Sequence, residues 1–126
     1  MNMPVVAPKI LIIDDSQMLT DMLKDALTTQ GNFRVVSAPD GASGLAIAET
    51  ERPDLILLDI SMPGLSGYEI CRIIKNDEKL RHIPIVIISA LSADEDKEKA
   101  FIAGADGYLV KPIHIDNLLT KVNNLL

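Results

Sequence analysis

Apolar and polar positions along the chain follow two alternating patterns. Short runs rich in Ile, Leu and Val are typical of β-strands, and they occupy residues 9–13, 33–37, 55–58, 85–88 and 108–110. Between them, apolar residues recur at the three- and four-residue spacing of a helix face, in residues 18–27, 42–51, 70–74, 93–103 and 115–126. Pro53 and Gly104 end the second and fourth of these segments. The pattern therefore predicts five strand and helix pairs.

The strand sequences also indicate how the strands pair. Three of the five are continuous apolar runs, as expected when helices cover both faces of a sheet, and such sheets are parallel. With right-handed crossovers, the prediction is an α/β fold with a five-stranded parallel doubly wound sheet in a three-layer α/β/α sandwich. Ligands of such folds bind at the carboxyl ends of the strands. We expect one domain over residues 9–126, after a lead segment at 1–8.

Polar side chains follow four of the five predicted strands. Asp14 and Asp15 follow the first strand, Asp59 the third, Ser89 the fourth and Lys111 the fifth. Because parallel strands share one carboxyl edge, these residues are expected to meet there.

Helix capping is the alternative role for polar residues at such positions. Asp15 or Ser16 is expected to cap the first helix, Ser66 the third and Ser92 the fourth. No helix begins directly behind Asp59, so capping does not account for it.

The predicted cluster has a definite chemistry. Three carboxylates within about 5 Å repel by about 4 kcal/mol per pair at an effective dielectric constant near 20. Lys111 offsets one charge and leaves about −2, which a hard divalent cation neutralises. A set of oxygen ligands without Cys or His favours Mg²⁺, with Mn²⁺ as a possibility, over zinc. A carboxylate beside a cation and an ammonium group can accept a phosphoryl group and form an acyl phosphate.

Composition excludes several other classes of protein. The 126 residues fit one domain, and 12 basic against 18 acidic residues give a net charge of −6, which argues against direct binding to nucleic acid or to an anionic membrane. No apolar stretch approaches the roughly 20 residues of a membrane span. The single cysteine, Cys71, is expected to pack in the core. With no signal-peptide pattern at the start, a cytoplasmic location is expected.

Four sequence segments resemble the receiver domain of two-component response regulators. They are ILIIDDS at 10–16, DLILLDISMPG at 54–64, IVIISA at 85–90 and GADGYLVKP at 104–112. Their order and spacing match the chemotaxis-type, single-domain, flavodoxin-like (β/α)5 fold, from residue 9 to 126. The chain fits either a stand-alone receiver or one taken from a longer regulator.

The resemblance implies a role for each residue of the acidic cluster. Asp59 is implied to accept the phosphoryl group from a phosphohistidine of a histidine kinase or a histidine phosphotransfer protein. Asp15 is implied to bind Mg²⁺ directly and Asp14 mainly through water, with the backbone carbonyl of Ser61 completing the protein ligands. Lys111 is implied to pair with a phosphoryl oxygen.

The same resemblance implies a conformational switch. Ser89 would donate its hydroxyl to the phosphoryl group, and Tyr108 would turn into the space that Ser89 leaves. The Lys111–Pro112 peptide bond is implied to be cis. The changed surface would act on a downstream output protein or domain. The protein would then not be an enzyme, beyond catalysing its own phosphorylation and dephosphorylation.

Two rival functions remain open at this point. One is a receiver-like docking scaffold that is never phosphorylated. The other is a phosphatase of the haloacid-dehalogenase type, which also forms an aspartyl phosphate with Mg²⁺ but carries a second Asp two residues after the first. Here Ser16 stands two residues after Asp14, and 126 residues leave no room for a cap domain.

Overall fold

A computed structural model describes residues 6–62 and 64–126. Residues 1–5 of the predicted lead segment and Pro63 lie outside the described residues. The elements in chain order are β1 Lys9–Ile13, α1 Gln17–Thr29, β2 Arg34–Ala38, α2 Gly41–Glu51, β3 Leu55–Asp59, α3 Gly67–Lys75, β4 Ile85–Ser89, α4 Asp94–Ile102, β5 Gly107–Val110 and α5 Ile115–Leu125.

The five strands form one parallel sheet in the order β2-β1-β3-β4-β5, which confirms the predicted fold class. Two apolar cores lie on its two faces. One packs the sheet against α1 and α5 through residues such as Leu27 and Val122. The other packs it against α2, α3 and α4 through residues such as Ala48, Ile74 and Ala100. These layers bury both faces of the central strands, so those strands have continuous apolar sequences.

Strand limits differ from the sequence prediction by about one residue. The second strand begins at Arg34 instead of Phe33, because the Phe33 amide donates to the carbonyl of Leu27 at the end of α1. β3 and β4 each extend one residue further than predicted, so Asp59 and Ser89 are the last residues of their strands.

Helix caps agree with the prediction at two of three sites. The side chains of Ser16 and Ser66 accept hydrogen bonds from the amides of the first turns of α1 and α3. The prediction for Ser92 is wrong, because α4 begins one residue later and Ala93 occupies the cap position without a side-chain bond. Acidic residues fill the first turn of α4, where negative charge stabilises a helix.

No helix among residues 6–62 and 64–126 is both long and apolar enough to cross a lipid bilayer.

Candidate functional site

The register of the central strands brings the predicted site together. Ile13 pairs with Leu58 and Asp59 pairs with Ile88, so the residues that follow β1 lie beside the end of β3 and near the end of β4. Ser89 pairs with Val110, the residue before Lys111. The polar residues at the carboxyl ends of these four strands therefore meet at one edge of the sheet, as the sequence predicts.

Three carboxylates form the centre of this site. Asp14, Asp15 and Asp59 each offer an oxygen, and these oxygens all lie within 4.8 Å of one another. Asp14 and Asp59 are 3% and 2% exposed, whereas Asp15 is exposed to solvent. At 4.8 Å two carboxylates repel by about 3.5 kcal/mol at an effective dielectric constant of 20. The fold thus holds a concentration of negative charge that a cation would stabilise.

The arrangement disfavours the charged form of Asp14. The pKa of its carboxyl is raised from 3.8 to about 6, chiefly by burial and also by the charge of Asp59, which together outweigh the lowering effects of a hydrogen bond from the Ser16 amide and of Lys111. The Ser16 amide donates to Asp14 Oδ1 at 2.8 Å. Asp14 Oδ2 is buried and has no hydrogen-bond partner among the residues that the structure describes.

That unpartnered oxygen makes the site fit a metal ion. A buried carboxylate oxygen without a donor is unfavourable unless a cation or water occupies the space beside it. The donors here are hard oxygen atoms, the kind that Mg²⁺ prefers. The described residues therefore meet the requirement of a divalent cation both in charge and in ligand chemistry.

Asp59 is fixed from two sides. The Ser61 amide donates to Asp59 Oδ1 at 2.9 Å, so the chain turns back directly after β3. The Lys111 ammonium lies 3.4 Å from Asp59 Oδ2. The start of α3 also packs closely against the backbone at the end of β3, because a Cβ at Gly67 would lie 2.6 Å from Ile60 Cα and 2.9 Å from the carbonyl oxygen of Asp59.

Ser89 and Tyr108 are linked through the backbone of Leu91. The Leu91 amide donates to Ser89 Oγ at 2.9 Å, and the Tyr108 hydroxyl donates to the Leu91 carbonyl at 2.8 Å. Ser89 is fully buried, while Tyr108 is half-buried against the core on the α4 side of the sheet. The sequence could not reveal the part played by Leu91, because only its backbone groups are used.

The remaining residues singled out in the sequence have structural roles. The Lys111–Pro112 peptide bond is cis. Cys71 is fully buried, and burial raises the pKa of its thiol to about 11, which disfavours the thiolate form that a nucleophilic cysteine needs. Ser16 caps α1, so no carboxylate stands where a haloacid-dehalogenase-type enzyme would carry its second Asp.

Comparison with known proteins assigns the family. Residues 10–123 match the family described as the response regulator receiver domain. The chain belongs to this family. PilH of Pseudomonas aeruginosa is 37% identical over 119 residues, covering 94% of this chain and 97% of PilH. The chemotaxis protein CheY4 of Vibrio cholerae has a similar structure, with a TM-score of 0.89, 30% identity and coverage of 97% of this chain and all of CheY4.

Some relatives of this receiver domain are considerably longer. The transcriptional regulator RpaA of Synechocystis sp. is 39% identical over 119 residues, which are 94% of this chain but 49% of RpaA. The response regulator PleD of Caulobacter vibrioides is 38% identical over 120 residues, which are 26% of PleD. The chain therefore spans about half or less of the length of these two relatives.

Membership confirms the resemblance seen in the sequence. Receiver domains are phosphorylatable switches of two-component signalling and not classical enzymes, and they generally bind Mg²⁺ through an acidic cluster. The cluster of Asp14, Asp15 and Asp59 is the corresponding feature of this chain.

Proposed function

We propose that Asp59 accepts a phosphoryl group from a phosphohistidine of a histidine kinase or a histidine phosphotransfer protein. One observation carries the proposal: a buried carboxylate at the end of β3 lies 3.4 Å from the ammonium of Lys111 and within 4.8 Å of two further carboxylates. The receiver domain would comprise residues 9–126, with residues 1–8 as a lead segment. The expected location is the cytoplasm.

In the transfer step, an oxygen of Asp59 attacks phosphorus as the bond from phosphorus to the histidine nitrogen breaks. The electron pair of that bond stays on the nitrogen, which takes up a proton, and Asp59 becomes an acyl phosphate. Lys111 stabilises the charge of the phosphoryl oxygens, because its ammonium already lies on the Asp59 side of the site.

Mg²⁺, or alternatively Mn²⁺, would be held by Asp14, Asp15, Asp59 and the backbone carbonyl of Ser61. When bound, the ion supplies positive charge that offsets both the carboxylates and the incoming phosphoryl group. Asp14 contributes a buried oxygen that accepts no hydrogen bond from residues 6–62 and 64–126.

The switch follows from the added charge. Phosphorylation replaces a charge of about −1 on Asp59 by about −2 and adds hydrogen-bond acceptors. Ser89 would then donate its hydroxyl to a phosphoryl oxygen, and the hydrogen bond from the Leu91 amide to Ser89 Oγ would break. Because Leu91 also accepts from Tyr108, the change would reach β5 and the surface formed by α4, β5 and α5, where an output protein or domain would bind.

The test is incubation of the protein with acetyl phosphate and Mg²⁺, followed by intact mass measurement. The wild type is expected to gain one phosphoryl group, and Asp59→Asn none. Asp25→Asn, which changes an exposed aspartate on α1, is the matched control and is expected to behave as the wild type.

Two results would overturn the proposal. The docking scaffold would be favoured if the wild type binds Mg²⁺ but gains no phosphoryl group, or if it binds no Mg²⁺ at all. An Asp59→Asn variant that gains as much as the wild type would place the acceptor elsewhere.

A further inference from the structure

A small cavity lies between the start of α1 and the end of β2, beside the acidic cluster. Its volume is about 120 Å³, enough for several water molecules. Asp14 and Thr20 line one side of it, and Ser37 lines the other. The Asp14 amide donates to the carbonyl of Ala38 at 3.1 Å, so the end of β2 is fixed beside Asp14. The cavity is therefore a polar extension of the acidic site.

Thr20 is a polar residue at a buried position of α1. Four charged or hydroxyl-bearing residues are buried in the described part of the chain: Asp14, Asp59, Ser89 and Thr20, which is 5% exposed. The first three belong to the proposed phosphorylation site. Thr20 lies on the buried face of α1, three residues before Leu23, where an apolar side chain would pack without the cost of burying a hydroxyl. Its hydroxyl therefore requires a polar partner.

The hydroxyl of Thr20 does not find that partner in its own helix. Other helical threonines donate to a carbonyl oxygen one turn earlier, as Thr28, Thr29 and Thr50 do at 2.8, 2.6 and 3.2 Å. Thr20 Oγ1 forms no such bond with residues 6–62 and 64–126. Asp14, which lines the same cavity, has a buried oxygen to which no described residue donates. A donor and an acceptor without partners thus border one space that water can enter.

We propose that water in this cavity joins the Thr20 hydroxyl to the hydration shell of the bound divalent cation, so that Thr20 is a positioning residue for the metal site. A hydroxyl can accept from a water molecule as well as donate to it, so Thr20 can orient a water that donates to Asp14. Mg²⁺ usually keeps several waters when carboxylates bind it, and the outer groups that orient its ligands affect its affinity. The inference rests on the proposed Mg²⁺ site, but it does not depend on phosphoryl transfer.

The test measures Mn²⁺ binding by electron paramagnetic resonance of the free ion, with Mg²⁺ as the competitor and no phosphodonor present. Thr20→Val replaces the hydroxyl by a methyl group and is expected to weaken Mn²⁺ binding about 10-fold. Thr20→Ser keeps the hydroxyl and is expected to stay within about threefold of the wild type. Thr28→Val is the matched control, because the Thr28 hydroxyl is bonded within α1 and exposed, and it is expected to bind Mn²⁺ as the wild type does.

Thermal unfolding in EDTA separates positioning of water from packing. Thr20→Val removes a buried hydroxyl and keeps the shape of the side chain, so it is expected to unfold at the temperature of the wild type or higher. A markedly lower unfolding temperature would assign the hydroxyl a structural role and overturn the inference.

Three binding results would also overturn it. They are a Thr20→Val variant that binds Mn²⁺ as tightly as the wild type, a Thr20→Ser or Thr28→Val variant that loses as much affinity as Thr20→Val, and a wild type that binds no Mn²⁺. A wild type that binds Mn²⁺ but gains no phosphoryl group from acetyl phosphate would contradict the proposed function and leave the role of Thr20 intact.

Discussion

Replacing Asp14 by asparagine is expected to stabilise the metal-free protein at neutral pH. The wild-type residue is 3% exposed and lies beside two other carboxylates, and one of its oxygens has no hydrogen-bond partner in the described part of the chain. An asparagine keeps the oxygen that accepts from the Ser16 amide. It also replaces the unpartnered oxygen by an NH₂ group that can donate to a neighbouring carboxylate.

The size of the effect follows from the pKa of Asp14, which burial and the charge of Asp59 raise from 3.8 to about 6. Between these pH values the folded protein holds a proton that the unfolded chain has lost, so the free energy of unfolding decreases as pH rises. The decrease is complete above about pH 6 and amounts to about 3 kcal/mol. Because the buried amide also loses hydration, we expect Asp14→Asn to gain about 1–3 kcal/mol at pH 7.5. At pH 4.5 the gain should shrink to about 1 kcal/mol or less.

Urea unfolding in EDTA at pH 7.5 and pH 4.5 measures both values, with Asp25→Asn as the exposed control. The reasoning is refuted if Asp14→Asn is less stable than the wild type at pH 7.5, or if its gain is the same at both pH values. With Mg²⁺ added, the difference in free energy of unfolding between Asp14→Asn and the wild type should shrink or change sign. The reason is that the ion stabilises the folded wild type more than a variant lacking one ligand.

Three further changes give separate predictions. Lys111→Gln should lower the rate of phosphoryl incorporation from acetyl phosphate by about 10- to 100-fold, measured by intact mass against Lys97→Gln; an unchanged rate would contradict the role of Lys111. Tyr108→Phe removes the hydrogen bond to the Leu91 carbonyl, so it should lower the free energy of unfolding in urea by about 1 kcal/mol and speed amide exchange in residues 90–93. Equal exchange rates in the variant and the wild type would show that this bond does not hold the loop. Gly67→Ala should destabilise the fold by at least about 2 kcal/mol, because its Cβ would meet backbone atoms. Gly64→Ala should cost only about 1 kcal/mol, because the added Cβ meets no atom and the cost is limited to backbone strain at φ 84°. Equal thermal stabilities of the two variants would refute the packing argument.

Local sequence patterns predict much of this fold because the apolar positions of each element depend on which of its faces are buried. Continuous apolar runs such as residues 55–58 reveal burial on both faces, and this led to the parallel sheet that the structure confirms. Element limits are less well predicted, since they depend on contacts with distant residues. Phe33 illustrates this, because its amide bonds to the end of α1 and not to a neighbouring strand.

At the site, the strand pattern was enough to predict which groups reach the carboxyl edge, because parallel strands bring Asp14, Asp59 and Lys111 together however far apart they are in the chain. The packed fold was needed to show that Asp14 is buried, with one oxygen unpartnered among the described residues, while Asp15 is exposed. It was also needed to show that the Leu91 backbone links Ser89 to Tyr108. These features depend on burial, distance and backbone direction, which arise from packing between elements and leave no pattern in neighbouring residues.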